Sequence, residues 1–149
     1  MKKLLSCLSF TVVLSLQYAY AQQTPVFNHL TVYVVDLQKS SDFYENVIML
    51  QKIDEPFKDN RHTWFKISEH GQLHVVGGAK EIMAHDINVH LSFSVPSLQD
   101  FMKHLDSLQI KYGNWAQTSK TPQLRPDGIY QIYFQDPDGY WIEVNDDNK

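Results

Sequence analysis

Two segments of this chain of 149 residues repeat each other, and both begin with a histidine. Residues 29–38 (HLTVYVVDLQ) align with residues 90–99 (HLSFSVPSLQ), and five of the ten positions are identical. Each segment reads as a strand that leads into a helix. Internal repeats constrain an architecture more strongly than any local pattern, so the chain is predicted to consist of two similar units.

The repeat also reaches the last strand of each unit. Phe65 lies nine positions before His74, and Phe134 lies nine positions before Glu143. His74 and Glu143 therefore occupy equivalent places, as the two opening histidines do. Each unit is predicted to contribute one metal-binding type of side chain from its first strand and one from its last.

The coarse organisation is the same in both units, a strand and a helix followed by further strands. Asp36 and Ser97 are predicted to cap the two helices, because their side-chain oxygens can accept hydrogen bonds from the first backbone N–H groups. Unit one (about 26–77) is predicted to contain a helix from 36 to about 49 and strands near 27–35, 50–53, 62–67 and 72–77. Unit two (about 88–146) is predicted to contain a helix from 97 to about 108 and strands near 90–95, 110–112, 130–134 and 140–145. The polar segment 113–128 is either a loop that covers a substrate or a surface excursion.

Side chains alternate across a strand, so each predicted strand has an aliphatic face and a polar face. The aliphatic faces are expected to pack on the helices, which leaves the polar faces to line a cleft. The polar faces carry four candidate metal ligands: His29, His74, His90 and Glu143. Three imidazoles and one carboxylate suit a divalent transition metal such as Zn, Ni, Co, Mn or Fe. Ordinary hydrogen-bonded strand histidines are the alternative, but the duplicated register favours the metal.

Four other histidines lack this register. They are predicted to be loop, connector or helix-surface residues: His62, His70, His85 and His104.

The first 21 residues resemble an export signal. Lys2 and Lys3 precede a short apolar stretch, and the sequence AYA at 19–21 is typical of a cleavage site. Because the apolar stretch is too short for a membrane span, we expect cleavage before Gln22 and a periplasmic or secreted protein, with a retained anchor as the alternative. Cleavage would remove Cys7, the single cysteine, and would leave no membrane attachment.

The remaining length suits one domain. The formal net charge of the whole chain is −4 and no basic patch is present, so a nucleic-acid partner is not expected. We expect a small-molecule substrate, with a homodimer left open.

Several motifs resemble those of the vicinal oxygen chelate superfamily, which includes glyoxalase I, fosfomycin-resistance enzymes, extradiol dioxygenases and bleomycin-binding proteins. They are NHLTV at 28–32, DL at 36–37 with SDFY at 41–44, HLSF at 90–93 and DPDGYWIE at 136–143. The resemblance covers nearly all of the chain after the signal. It implies an α+β fold of two tandem βαβββ modules that form a half-open barrel around a metal.

The resemblance also implies roles for the candidate ligands. His29 and His90 match the first-strand ligands of the two modules, and Glu143 matches the terminal glutamate. His74 stands where glyoxalase I has a glutamate, so a mechanism with two interchangeable glutamate bases is not supported.

The leading hypothesis is an exported metal-dependent lyase or isomerase of glyoxalase type, acting on a small substrate with vicinal oxygens in a detoxification role. A metal would polarise a substrate carbonyl, and Glu143 would transfer the proton. The expected substrate-binding residues are Thr31, Tyr33, Ser92, Arg125 and Trp141. For Arg125 the alternative is a solvated loop residue, and for Trp141 it is a packing role. The alternative functions are an extradiol-type dioxygenase and a non-enzymatic module that binds a toxin or an antibiotic.

Overall fold

A computed structural model describes residues 24–147 of the chain. The predicted signal peptide, residues 1–21, lies outside the described residues, so export stays a prediction. No helix within residues 24–147 is long and apolar enough to cross a membrane.

The described chain contains two helices and two four-stranded sheets, arranged as two tandem βαβββ modules. Module one contains β1 (His29–Val34), α1 (Leu37–Asn46), β2 (Gln51–Ile53), β3 (His62–Lys66) and β4 (Gln72–Gly77). Module two contains β5 (His90–Ser94), α2 (Leu98–Ser107), β6 (Gln123–Leu124), β7 (Tyr130–Gln135) and β8 (Trp141–Asn145). The predicted α+β fold with a duplicated module is confirmed.

The two sheets have the same strand order, β1-β4-β3-β2 and β5-β8-β7-β6. β1 pairs with β4 in parallel and β5 pairs with β8 in parallel. Within these pairs Thr31 lies opposite His74, and Ser92 lies opposite Glu143. The equivalence of His74 and Glu143 that the repeat predicted is therefore confirmed by the strand register.

The two sheets are not closed into a barrel, in agreement with the half-open architecture that the resemblance implied. β1 and β5 are edge strands, and within residues 24–147 each sheet ends at that strand rather than continuing into the other sheet. Among residues 24–147 no strand pairing joins one sheet to the other, so both sheets keep an open edge.

The helix caps agree with the prediction. The carboxylate of Asp36 accepts a hydrogen bond from the backbone N–H of Lys39 at 3.0 Å, and the hydroxyl of Ser97 accepts one from Asp100 at 3.2 Å. α1 ends at Asn46, earlier than predicted, and the chain turns into β2 through Met49, which has a positive φ of 62°.

The predicted strand at 110–112 is wrong. In that region only Gly113 forms an isolated bridge, to Tyr133 of β7. The strand that precedes β7 is instead β6, inside the segment predicted as a loop, and it pairs over two residues only. Such a short pairing leaves no alternation in the sequence that could predict it.

Both modules contribute to one hydrophobic core. The buried side chains that form it include Val32, Val34, Phe43, Tyr44, Phe65, Leu73, Val75, Leu105, Ile132, Phe134, Ile142 and Val144. The ring of Phe43 on α1 lies 6.2 Å from the ring of Phe134 on β7, which packs module one against module two.

The turn between β7 and β8 fastens the two modules together. The carboxylate of Asp136 accepts a hydrogen bond from the hydroxyl of Tyr44 at 2.7 Å, and that of Asp138 accepts one from Ser40 at 2.5 Å. Gly139 closes the turn with a φ of +86°, a conformation that favours glycine. These bonds hold the start of β8, and with it Glu143, relative to α1.

Candidate metal centre

The strand faces separate aliphatic from polar side chains as the alternation predicted. On β1, Val32 and Val34 are buried, whereas His29, Thr31 and Tyr33 are exposed. The polar faces of the sheets carry all four candidate ligands, opposite the aliphatic faces that pack in the core.

The module-two half of the candidate centre is built around Glu143. Only 5% of this residue is exposed. Its carboxylate accepts hydrogen bonds from the hydroxyl of Tyr133 at 2.6 Å, the side-chain amide of Asn145 at 2.7 Å and the hydroxyl of Ser92 at 3.1 Å. Both carboxylate oxygens are thus held in fixed positions.

These contacts also decide the charge of Glu143. Burial is the largest single effect and raises its pKa, but the hydrogen bonds from Tyr133, Asn145 and Ser92 and the nearby His90 together lower the pKa below its usual value. Glu143 is therefore ionised at neutral pH despite being buried. The pKa of the Tyr133 hydroxyl is raised, because the side chain is buried and its hydroxyl donates to the neighbouring carboxylate of Glu143.

His90 faces this carboxylate. Its Nδ1 lies 2.7 Å from the backbone carbonyl of Ile87, which can only accept, so Nδ1 carries the proton. Its Nε2 lies 3.3 Å from Oε2 of Glu143. Nε2 of His90 and a carboxylate oxygen of Glu143 thus face each other, and a metal ion bound here would contact both.

The module-one half consists of His29 and His74. Nδ1 of His29 lies 2.7 Å from Oδ1 of Asn28, which leaves its Nε2 as the nitrogen with a lone pair. The ring of His74 is sandwiched between His29 at 4.2 Å and Trp64 at 3.8 Å, with nearly parallel planes, and its Nε2 lies 2.9 Å from Oε1 of Gln72. Burial, followed by the nearby His29, lowers the pKa of His74, so its neutral form, the form that binds metals, is favoured.

The four candidate ligands come together as two pairs and not as one set. His29 and His74 belong to one sheet, and His90 and Glu143 belong to the other. Within residues 24–147 no group of three or more histidine, cysteine, aspartate or glutamate side chains is arranged to hold a metal ion. Each module therefore presents half of the predicted donor set.

The other predicted site residues are divided between these halves. Ser92 bonds to Glu143, and Nη1 of Arg125 lies 3.8 Å from Oε1 of the same carboxylate. Thr31 is exposed beside His74. Tyr33 is 48% exposed, and its backbone N–H and C=O both contact the hydroxyl of Tyr140.

Trp141 is attached to the connector between the modules. Its indole N–H donates a hydrogen bond to the carbonyl of His85 at 2.9 Å. This contact fixes the indole against the connector, and the substrate-binding role expected for Trp141 stays a prediction.

Three residues of the centre were missed in the sequence: Trp64, Tyr133 and Asn145. Trp64 lies opposite His74 on β3, and Tyr133 lies opposite Glu143 on β7. Aligning the repeat through Phe65 and Phe134 makes Trp64 and Tyr133 equivalent, so the duplication itself contained the signal that would have found them.

Comparison with known proteins supports the fold. Residues 26–144 match the profile of the Glyoxalase/Bleomycin resistance protein/Dioxygenase superfamily. The chain is 25% identical to the lactoylglutathione lyase of Pseudomonas putida, over 80% of this chain and 83% of that protein.

Two solved structures show the same fold. A glyoxalase/dioxygenase from Nostoc punctiforme has a TM-score of 0.66 and 21% identity, covering 93% of this chain and 100% of that one. The fosfomycin resistance protein of Listeria monocytogenes has a TM-score of 0.64 and 20% identity, covering 83% of this chain and 94% of that one.

Proposed function

The chain belongs to the glyoxalase/bleomycin resistance protein/dioxygenase superfamily, and on this premise we propose that it is a metal-dependent lyase or isomerase of glyoxalase type. The observation that carries the proposal is the buried, ionised Glu143, with its Oε2 3.3 Å from Nε2 of His90. The similarity to a lactoylglutathione lyase supports the reaction class. The substrate is a small molecule with two vicinal oxygens.

The donor set suits a divalent transition metal. His90 and Glu143 would bind it from module two, and His29 and His74 from module one. A bound metal of this kind supplies Lewis acidity, which polarises a substrate carbonyl and makes the adjacent C–H group more acidic. The carbonyl of Ile87 fixes the tautomer of His90, as the outer partners of metal-binding histidines commonly do.

Glu143 is the residue proposed to move the proton. A general base must be ionised and must hold its oxygen at a defined place, and the hydrogen bonds from Tyr133 and Asn145 provide both. Ser92, which bonds to Oε1, would orient the substrate beside it. Thr31 and Tyr33 would line the facing side from module one.

We also propose that a second copy of the chain completes the site. The two halves of the donor set lie in different sheets, and both sheets end at the strand that carries a histidine ligand, β1 or β5. A twofold dimer in which module one of each chain faces module two of its partner would give two identical centres. Each centre would then contain all four ligands.

Replacing Glu143 by glutamine tests the proposed base. Glu143→Gln keeps the size of the side chain and one ligand oxygen, so part of the metal should be retained. With hemithioacetals of 2-oxoaldehydes and other vicinal-oxygen compounds, exchange of the substrate C–H proton with solvent should fall by roughly 10²-fold, the usual scale for a general base.

The control is Glu69→Gln, which makes the same chemical change at an exposed residue between β3 and β4 and should leave the exchange rate unchanged. Unchanged exchange in Glu143→Gln would exclude Glu143 as the base. Absence of turnover by the metal-loaded wild-type protein across the whole panel would contradict the proposed reaction class.

A further inference from the structure

Arg125 is held beside the proposed base by an ordered turn between β6 and β7. Its backbone N–H donates to the carbonyl of Ile129 at 2.8 Å, and its carbonyl accepts from Gly128 at 3.0 Å. Gly128 has a φ of +88°, which closes this turn. The arginine is therefore placed by backbone hydrogen bonds rather than projected from a loose loop.

One edge of the guanidinium is occupied and another edge is available. Nε and Nη2 donate to the two carboxylate oxygens of Asp127 at 3.1 and 2.5 Å, which fixes the plane of the group. Nη1 lies 3.8 Å from Oε1 of Glu143, too far for a hydrogen bond. Among residues 24–147 Nη1 donates no hydrogen bond, although it lies beside the carboxylate of Glu143.

The charge balance at Arg125 depends on Glu143. Three carboxylates, those of Asp127, Glu143 and Asp147, lie near enough to raise the pKa of the guanidinium, Asp127 most strongly. When Glu143 binds a divalent metal its charge is compensated, and its attraction for Nη1 weakens. The N–H groups of Arg125 that do not bond to Asp127 are then available to donate to a substrate.

We propose that Arg125 binds a carboxylate on the substrate, so that the substrate class is a small vicinal-oxygen compound that also bears a carboxylate. This inference rests on the proposed function, because it takes the vicinal oxygens to lie on a metal held by Glu143. The planar edge formed by Nη1 and Nη2 matches the geometry of a carboxylate and can donate two parallel hydrogen bonds. The short distance between Nη1 and Glu143 requires the carboxylate to lie a few bonds from the vicinal oxygens.

Binding of matched ligands tests the proposal. Hydroxamates present two vicinal oxygens, so the probes are the monohydroxamates of malonic and succinic acid. The affinity of each for the metal-loaded protein is measured by calorimetry and compared with that of its neutral primary amide. The wild type should bind at least one of the two carboxylates roughly tenfold tighter than its amide, the scale of a charge-assisted hydrogen-bonded pair. In Arg125→Gln the carboxylate should lose that advantage, while amide binding stays within about twofold.

Two control variants distinguish recognition of the ligand carboxylate by Arg125 from a purely structural role of this residue. Lys103→Gln removes a cation from the exposed face of α2, where it pairs with Asp100, and should keep the full preference for the carboxylate. Arg125→Lys keeps the charge without the planar fork and should keep only part of the preference.

The outcomes distinguish this inference from the proposed function. Equal binding of acid and amide by the wild type, with both bound, overturns the role of Arg125 and leaves the metal site standing. Equal weakening of acid and amide in Arg125→Gln shows that the residue only positions Glu143, which also overturns it. If inorganic phosphate competes more strongly than acetate, Arg125 prefers a tetrahedral anion to a carboxylate, which overturns the proposed substrate class. Failure of every hydroxamate to bind, together with absence of bound metal, overturns the proposed function and this inference with it.

Discussion

Glu143 and His74 occupy equivalent positions of the duplicated module but have different neighbours. Across the strand pair, Glu143 faces Tyr133, whose hydroxyl donates to it at 2.6 Å. His74 faces Trp64, whose indole ring stacks on the imidazole at 3.8 Å. The cross-strand partner thus matches the ligand type: a hydrogen-bond donor stabilises the carboxylate, whereas an aromatic face restricts the orientation of the imidazole.

Removing the donor should change the ionisation of Glu143. In metal-free Tyr133→Phe the pKa of Glu143 should rise, because a hydrogen bond to the charged form is lost while the side chain stays buried. Carbon NMR of the labelled carboxyl group through a pH titration measures this directly. Tyr130→Phe, on the same strand but 46% exposed, should leave the pKa unchanged.

The same substitution should also change the pH dependence of the free energy of unfolding. The folded-state pKa of Glu143 lies below its usual value, so its ionised form stabilises the folded chain at neutral pH, and this contribution is lost as the pH falls through the folded pKa. The substitution Tyr133→Phe should therefore lower the free energy of unfolding by more at neutral pH than at acid pH. An equal loss at both pH values would show that Tyr133 contributes packing only.

Among the secondary-structure elements, the turn between β7 and β8 connects the strand that carries Glu143 to module one. Asp136 accepts from Tyr44 on α1, and Asp138 accepts from Ser40 on α1 and from the backbone N–H of Val35. Burial is the largest effect on Asp136 and raises the pKa of its carboxyl group. The turn therefore contains buried acidic groups whose hydrogen bonds depend on module one.

Tyr44→Phe tests this connection. The substitution leaves the buried Asp136 without its side-chain donor, which should lower the free energy of unfolding by about 1–3 kcal/mol in urea denaturation. Tyr130→Phe is again the matched control, because it removes a hydroxyl from an exposed ring and should change stability by less than about 0.5 kcal/mol. A loss in Tyr44→Phe no larger than in the control would show that the turn does not hold the modules together.

The sequence predicted those features that depend on alternation and repetition. The duplicated segments located His29, His74, His90 and Glu143 at equivalent places, and the strand register confirms the equivalence. β6 was not predicted, because its pairing with β7 is only two residues long. Tyr133 was missed because its role depends on which residue faces it across the hairpin, which only an alignment of the two repeats would have shown.

At the scale of the whole molecule, the separation of the two sheets was not predictable from local patterns. Alternation specifies which face of β1 or β5 is polar, but not whether the edges of these strands meet within one chain or between two. Each module therefore carries half of the candidate donor set. Module one carries two imidazoles, and module two carries an imidazole and a carboxylate.

This arrangement predicts complementation between damaged chains. His29→Ala damages the module-one half, and His90→Ala damages the module-two half, so each variant alone should lose most of its bound metal. When the two variants are unfolded and refolded together, a mixed dimer contains one intact centre and one doubly damaged centre. With random pairing, about a quarter of all centres should be intact.

Metal content per chain, measured by elemental analysis of the purified protein, tests whether two chains share each metal centre. We expect about one divalent ion per chain in the wild type and in His70→Ala, whose side chain is 74% exposed. The metal content should fall sharply in His29→Ala and in His90→Ala, and it should recover to about a quarter after the two variants are refolded together. Full metal content in both single variants would show that the centre is not formed by these residues. Loss in both without recovery on mixing would show that the two halves close within one chain.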